Sequence, residues 1–222
     1  MDMSRRTMLG GLVVGVGAAA FGKAGAAEPK AIALKQYKNE DFYKDGKFDV
    51  EAAKQAYYEM MWYYNYPVPP RLKTDEFWAL DFGLGLFTEV GMAGIFWMNN
   101  QKDNYFGHEI YLLPGQMIPE HKHVKTDAAG PKMEGWHVRH GYIYTYAEGT
   151  PTPGVDSRIS PSHRECSKAR TELKLMPGEY AMLNGPEQWH YMKAGPEGAI
   201  VTEYATYHDG AGLRFSHPNV TM

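Results

Sequence analysis

Thiol chemistry is almost absent from this chain: Cys166 is the only cysteine in 222 residues. No internal disulfide can form and no metal–thiolate cluster can be built, so any metal must be held by nitrogen and oxygen. Long hydrophobic runs are also missing. The apolar stretch from Met8 to Phe21 falls short of the ~20 residues that span a bilayer. No dense basic stretch follows the N-terminus and the formal net charge is -3, which argues against nucleic acid as a partner. No internal repeat is visible.

What is present begins with an export signal. Residues 1–26 carry a charged start (Arg5, Arg6), the apolar run, and a small-residue exit at Ala24-Gly25-Ala26. Ser4-Arg5-Arg6-Thr7-Met8-Leu9 resembles the twin-arginine motif. The resemblance implies the twin-arginine export machinery as a partner and a periplasmic or secreted destination. About 196 residues remain after such a signal, enough for one domain. With 44% hydrophobic and 14% aromatic residues, that domain can build a sizeable core.

Residues 27–79 read as an N-terminal arm followed by a helix. Asp49 is placed as an N-cap, with a helix over 50–64. Ala53, Tyr57, Met60, Met61 and Tyr64 fall on one face at i, i+3/i+4 spacing. The proline-rich stretch from Pro67 to Pro70 is expected to end it. From residue 80 to 222 the pattern is that of β-structure: short aromatic and β-branched runs broken by Asn99-Asn100, Pro114-Gly115, Pro177-Gly178 and Gly195-Pro196. Strands are predicted near 80–88, 91–98, 106–113, 116–124, 133–147, 170–176, 180–183, 189–193 and 199–207, which argues for an all-β sandwich or barrel. The segment 148–169 breaks the rhythm and reads as a long loop, of the kind that forms lids or mobile excursions. His163, Glu165 and Cys166 within it are expected to be solvated.

Three histidines and a glutamate carry the chemistry. His121 and His123 are i, i+2 on a predicted strand, so both imidazoles leave the same face. Glu134 follows eleven residues later and begins the next strand, sharing parity with Trp136, Val138, His140 and Tyr142. His190 supplies a fourth donor after a turn-rich segment. Imidazole and carboxylate together suit Mn, Fe, Zn, Ni or Co and not Cu(I). Four protein ligands leave room for substrate on a metal that takes five or six.

The spacing places these residues in a recognisable pattern. Gly115, five residues, His121-Lys122-His123, then Glu134, six residues and Gly141 resemble the first motif of the cupin superfamily, with a wider gap before the glutamate. Pro177-Gly178 and His190 resemble the second, with Asn184-Gly185-Pro186 replacing the usual Pro-x-Gly. Residues 105–204 are similar more closely to the cupin-type D-lyxose isomerases. The wide gap, Leu175-Met176-Pro177-Gly178, Trp189-His190, and the run from Ala194 to Tyr204 carry that similarity. The resemblance implies a cupin (jelly-roll) β-barrel with an N-terminal helix and arm. It also implies one divalent metal, Mn or Zn, on His121, His123, Glu134 and His190, and isomerisation of a free sugar such as D-lyxose. It further suggests homodimerisation through the segment 28–66.

Aldose–ketose isomerisation needs a base. Glu203 is the candidate, following an apolar strand and sharing parity with Val201; the alternative for it is a barrel-rim ion pair. Lys125, close after His-x-His, is the candidate to polarise an oxygen or shuttle a proton; the alternative is a solvated loop lysine. Trp136, Tyr144 and Trp189 offer apolar faces for a sugar ring, or simply barrel core. Two other functions share the same ligands: a cupin metal oxygenase acting on a small organic substrate, and a non-catalytic sugar-binding cupin.

Overall fold

The computed structural model describes residues 34–222; the export signal expected over 1–26 and the first residues of the arm lie outside them. Two short strands, β1 (Tyr43–Lys44) and β2 (Lys47–Phe48), form a hairpin before the only α-helix among the described residues, α1 (Val50–Tyr63). Asp49 caps it as expected: its carboxylate accepts from the Ala52 N–H at 3.0 Å. The stop is not the proline run. Asn65 takes a left-handed conformation (φ 51), and the Asn65 and Tyr66 N–H groups return to the carbonyls of Trp62 and Met61. This is a Schellman closure, and it ends the helix before Pro67 is reached.

The remaining strands are β3 (Phe77–Leu80), β4 (Met92–Asn100), β5 (Tyr105–Leu112), β6 (His121–His123), β7 (Glu134–Ala147), β8 (Thr171–Leu175), β9 (Tyr180–Met182), β10 (His190–Ala205) and β11 (Leu213–Phe215). All nine join one antiparallel sheet with the path β11-β6-β10-β5-β4-β3, while β7 pairs with β10, β8 and β9. The sheet curls into the jelly-roll of a cupin barrel. Three expectations shift. The strand read at 80–88 is β3, lying earlier, and residues 81–90 are turns. The strand read at 116–124 shrinks to β6 plus an isolated bridge at Met117. The strands read at 189–193 and 199–207 are one element, β10.

Alternation along the strands makes two cores. Phe77, Ala79, Ala93, Ile95, Tyr111 and Ile200 face outward onto Ala53, Tyr57, Met60 and Met61 of α1. Their neighbours Leu80, Met92, Ile110, Ala199 and Val201 face the barrel interior. Burying each large side chain stabilises by about 1.5–3 kcal/mol, so α1 serves as the cover of the outer face.

The parity is not constant. In β7 Val138 faces inward, but so does Ile143; in β10 the inward set changes from Met192 and Ala194 to Ala199 and Val201. The pairing of β7 with β10 shifts register between Ala194 and Ala199 and again between Ile200 and Val201. Gly141 lies at the switch. Its φ is 67, and a Cβ there would collide with the Gly198 carbonyl oxygen, so only glycine fits.

The segment 148–169 packs part of itself onto the barrel, while Glu165 is exposed and Cys166 half-buried. It contains two short 3-10 turns (Val155–Ser157 and Pro161–His163), and Val155, Ile159 and Ala169 join the barrel core. Lys168 and Ala169 N–H groups donate to buried Glu120 at 2.7 and 2.6 Å. His163 is fully buried and stacks on His217 with ring centroids 4.9 Å apart.

Candidate active site

β6, β7 and β10 bring the four predicted ligands together. His121 and His190 are direct register partners across β6 and β10, with ring centroids 4.4 Å apart; His123 lies 5.1 Å from His121 and 5.8 Å from His190 on the same measure. Glu134, opening β7, reaches His190 Nε2 at 2.5 Å and His123 Nε2 at 3.4 Å. One ligand atom from each of the four lies within 4.8 Å of all the others.

The protonation pattern suits a metal. The Pro119 carbonyl accepts from His121 Nδ1 at 2.9 Å and the Gln188 carbonyl from His190 Nδ1 at 2.8 Å. A carbonyl only accepts, so both Nδ1 atoms carry hydrogen and both Nε2 atoms present lone pairs. His123 has no hydrogen-bond partner on either ring nitrogen, and the His190 Nε2 lone pair lies 2.5 Å from a Glu134 oxygen with no proton between them. Facing lone pairs of this kind are costly unless a cation sits between them, and a divalent cation fits. Burial, followed by the His190 and His123 rings, holds the His121 imidazole well below its usual range, keeping it neutral as a ligand must be. Burial alone would raise the Glu134 carboxyl, but Lys132 and the neighbouring histidines outweigh it and hold it well below the carboxylate norm.

The lysine of the site is Lys132, not Lys125. Lys125 is exposed and outside the cavity; its backbone N–H donates to Glu187 at 3.0 Å. Lys132 is buried, lies 2.5 Å from Glu134 Oε2, and contacts Glu203 Oε1. Burial pulls its ammonium down, but Glu134 and then Glu203 outweigh that and hold it above its ordinary value. Glu203 is buried, and its other oxygen is 3.0 Å from His108 Nδ1. The carboxylate accepts, so His108 Nδ1 donates and its unpartnered Nε2 faces the cavity as an acceptor. Gly94 leaves the room: a Cβ there would collide with that nitrogen. His208 closes the patch, packed on Phe106 and 5.7 Å from His123; burial, then Lys132 and His123, drive it down to about 4.

These groups line a cavity of about 310 Å³. Of the predicted aromatic platform only Trp136 reaches it, its ring 5.5 Å from His190. Tyr144 does not, because the register shifts at Gly141 turn it to the outer face beside Tyr142. Trp189 also stays outside, between the ammonium groups of Lys122 and Lys168 at 5.0 and 4.4 Å. Sequence reasoning missed Lys132, His108 and His208 as site residues. The signal for Lys132 was there, two residues before Glu134 and on its parity. His108 becomes a site residue only through its pairing with Glu203, and nothing in the sequence marks His208.

No family model matches the chain. The chain is 30% identical over 174 residues to a D-lyxose/D-mannose isomerase of Thermosediminibacter oceani, covering 78% of this chain and 94% of that one. It is 34% identical over 140 residues to a D-lyxose ketol-isomerase of Thermofilum sp., covering 63% and 76%. Among solved structures, the L-ribose isomerase of Cellulomonas parahominis superposes with a TM-score of 0.60 at 15% identity, over 77% of this chain and 92% of that one; at that identity the likeness speaks for the fold. By its sequence, its barrel and its four-ligand centre, the chain belongs to the D-lyxose isomerase family of cupin sugar isomerases.

Proposed function

We propose that this sugar isomerase interconverts a free aldose such as D-lyxose and its ketose by proton transfer through Glu203, with Lys132 beside it. The single observation that carries the reading is that the Lys132 ammonium bridges Glu134, a ligand, to Glu203, the base. The base therefore stands one ammonium away from the metal position. A divalent metal on His121, His123, Glu134 and His190, Mn or Zn among those the donor set suits, would supply Lewis-acid polarisation of the sugar oxygens when bound. Glu203 takes the proton from C2, exchanges it with water and delivers a proton to C1, while the proton of the O2 hydroxyl passes to O1. Its carboxylate is fixed for this by two donors, Lys132 Nζ and His108 Nδ1, and the buried setting strengthens both interactions. Lys132 stabilises the negative charge that builds on the oxygens as the C–H bond breaks. The same reading includes export through the twin-arginine machinery to the periplasm or beyond, supported by Arg5-Arg6 and the apolar run after it, and a homodimer built on the segment 28–66.

The test is a panel of free pentoses and hexoses, including a C2-deuterated substrate, with metal-loaded protein. Ketose should form and the deuterium should wash into water. Glu203→Gln should lower kcat by about 10²–10⁴-fold while the metal content stays the same. Full retention of deuterium in the ketose, or an unimpaired Glu203→Gln enzyme, rejects Glu203 as the base. Oxygen consumption with no ketose rejects the isomerase.

A further inference from the structure

The cavity wall is polar mainly on one patch. Of the buried, unpartnered polar atoms on its lining residues, His108 Nε2, both His123 nitrogens, His190 Nε2 and His208 Nδ1 belong to the cluster around the ligands, Lys132 and Glu203, and only the Tyr191 hydroxyl lies apart from it. On the adjoining rung the strands turn to carbon, with His108 giving way to Ile110, Glu203 to Val201 and Trp136 to Val138 in register across β5, β10 and β7, and of these three Ile110 lines the cavity. The rest of the wall is carried by Trp78, Leu80, Phe96, Phe106, Leu213 and Phe215. Tyr191 also lines it, but its ring stacks on Tyr146 at 4.3 Å and its buried hydroxyl has no hydrogen-bond partner.

A sugar placed for proton transfer has its carbonyl end on the polar patch. Its far end must then lie against the apolar wall, where a hydroxyl loses water and meets no donor or acceptor, while a methyl group gains contact. We infer that the site selects a deoxy sugar: an aldose whose terminal carbon, remote from the carbonyl, is a methyl rather than a hydroxymethyl group. This rests on the isomerase reading above and names the substrate class of that same site. An apolar pocket discriminates against an added hydroxyl by up to about 10²-fold, which sets the scale of the effect.

The experiment compares sugars that differ only at that carbon, L-rhamnose against L-mannose and 5-deoxy-D-lyxose against D-lyxose, as substrates of the metal-loaded full chain. The deoxy member of each pair should show at least about tenfold higher kcat/KM. Equal values, or a preference for the hydroxylated member, overturn the inference and leave the isomerase intact. If neither member of either pair is converted, the isomerase reading loses its support, and selectivity is read from binding instead. L-rhamnitol and L-mannitol, which cannot isomerise, are titrated against the tryptophan fluorescence of Trp78 and Trp136. L-rhamnitol should bind about tenfold tighter; equal affinity, or no binding by either, overturns the inference.

Discussion

Lys125 and Lys132 separate position from proximity in sequence. Both follow His-x-His before or near Glu134, yet only Lys132 is buried between two carboxylates, while Lys125 stands in solvent. Substituting them gives opposite outcomes. Lys125→Ala should leave kcat and stability within error, since exposed substitutions fall within about 0.5 kcal/mol. Lys132→Met leaves Glu134 and Glu203 facing each other uncompensated; urea denaturation should show a loss of about 3 kcal/mol, and kcat should fall by about 10²-fold. Equal behaviour of the two variants would remove the ammonium from the site. The four ligands were legible because strand alternation is local, and i, i+2 fixes His121 and His123 on one face whatever the rest of the chain does. Lys132 was legible by the same rule, two residues before Glu134, whereas His208 lies beyond β10 and reaches the cavity only through the barrel's closure.

At the level of elements, β7 and the segment 148–169 departed furthest from expectation. Parity carried the reading of β7 as far as Val138 and failed at Gly141, where the register shift turns Tyr144 outward. A bulge adds one residue to a period of two, and no single-strand pattern reveals it, although the glycine itself marks the place. The segment 148–169 was read as solvated from its polar composition; Asp156, Arg164 and Glu165 are exposed as read, but His163 and Ser167 are buried and the Lys168 and Ala169 N–H groups donate to buried Glu120. His163 makes this testable. Burial, followed by the nearby His217, holds its imidazole at about 4, against about 6.5 in an unfolded chain. Between those values the unfolded chain binds a proton that the folded segment does not, so stability falls as pH drops from about 6.5 to 4 and levels off below. The contribution is about 3 kcal/mol at most. His163→Phe should flatten the denaturation midpoint over that range, relative to the parent; parallel curves would place the imidazole in solvent.

For the whole molecule, the candidate metal site is where separate parts of the sheet meet. Its ligands come from β6, β7 and β10, and β10 is hydrogen-bonded to β5, β6 and β7. A cation bound there ties these strands and relieves the orphaned nitrogens, so binding should register as global stability. Free metal at about 100 times its Kd adds about 2.7 kcal/mol, or roughly 5–10 °C in Tm for a domain of this size. Thermal melts of Mn-loaded and chelator-stripped protein should differ by that amount; coincident melts would mean that the four side chains hold no ion. The sequence by itself determined the helix and its cap, the β-rich remainder, the clustering of four metal-type donors and Glu203 as the candidate base, because each depends on composition or on periods of two and 3.6 residues. Only the tertiary structure decided which lysine lies beside Glu203, that Tyr144 and Trp189 stand outside the cavity, that part of the long segment packs onto the barrel, and that the cavity is largely apolar away from the four clustered donors. Those outcomes depend on register between distant strands, and register is fixed by packing across the barrel rather than within any one stretch of chain.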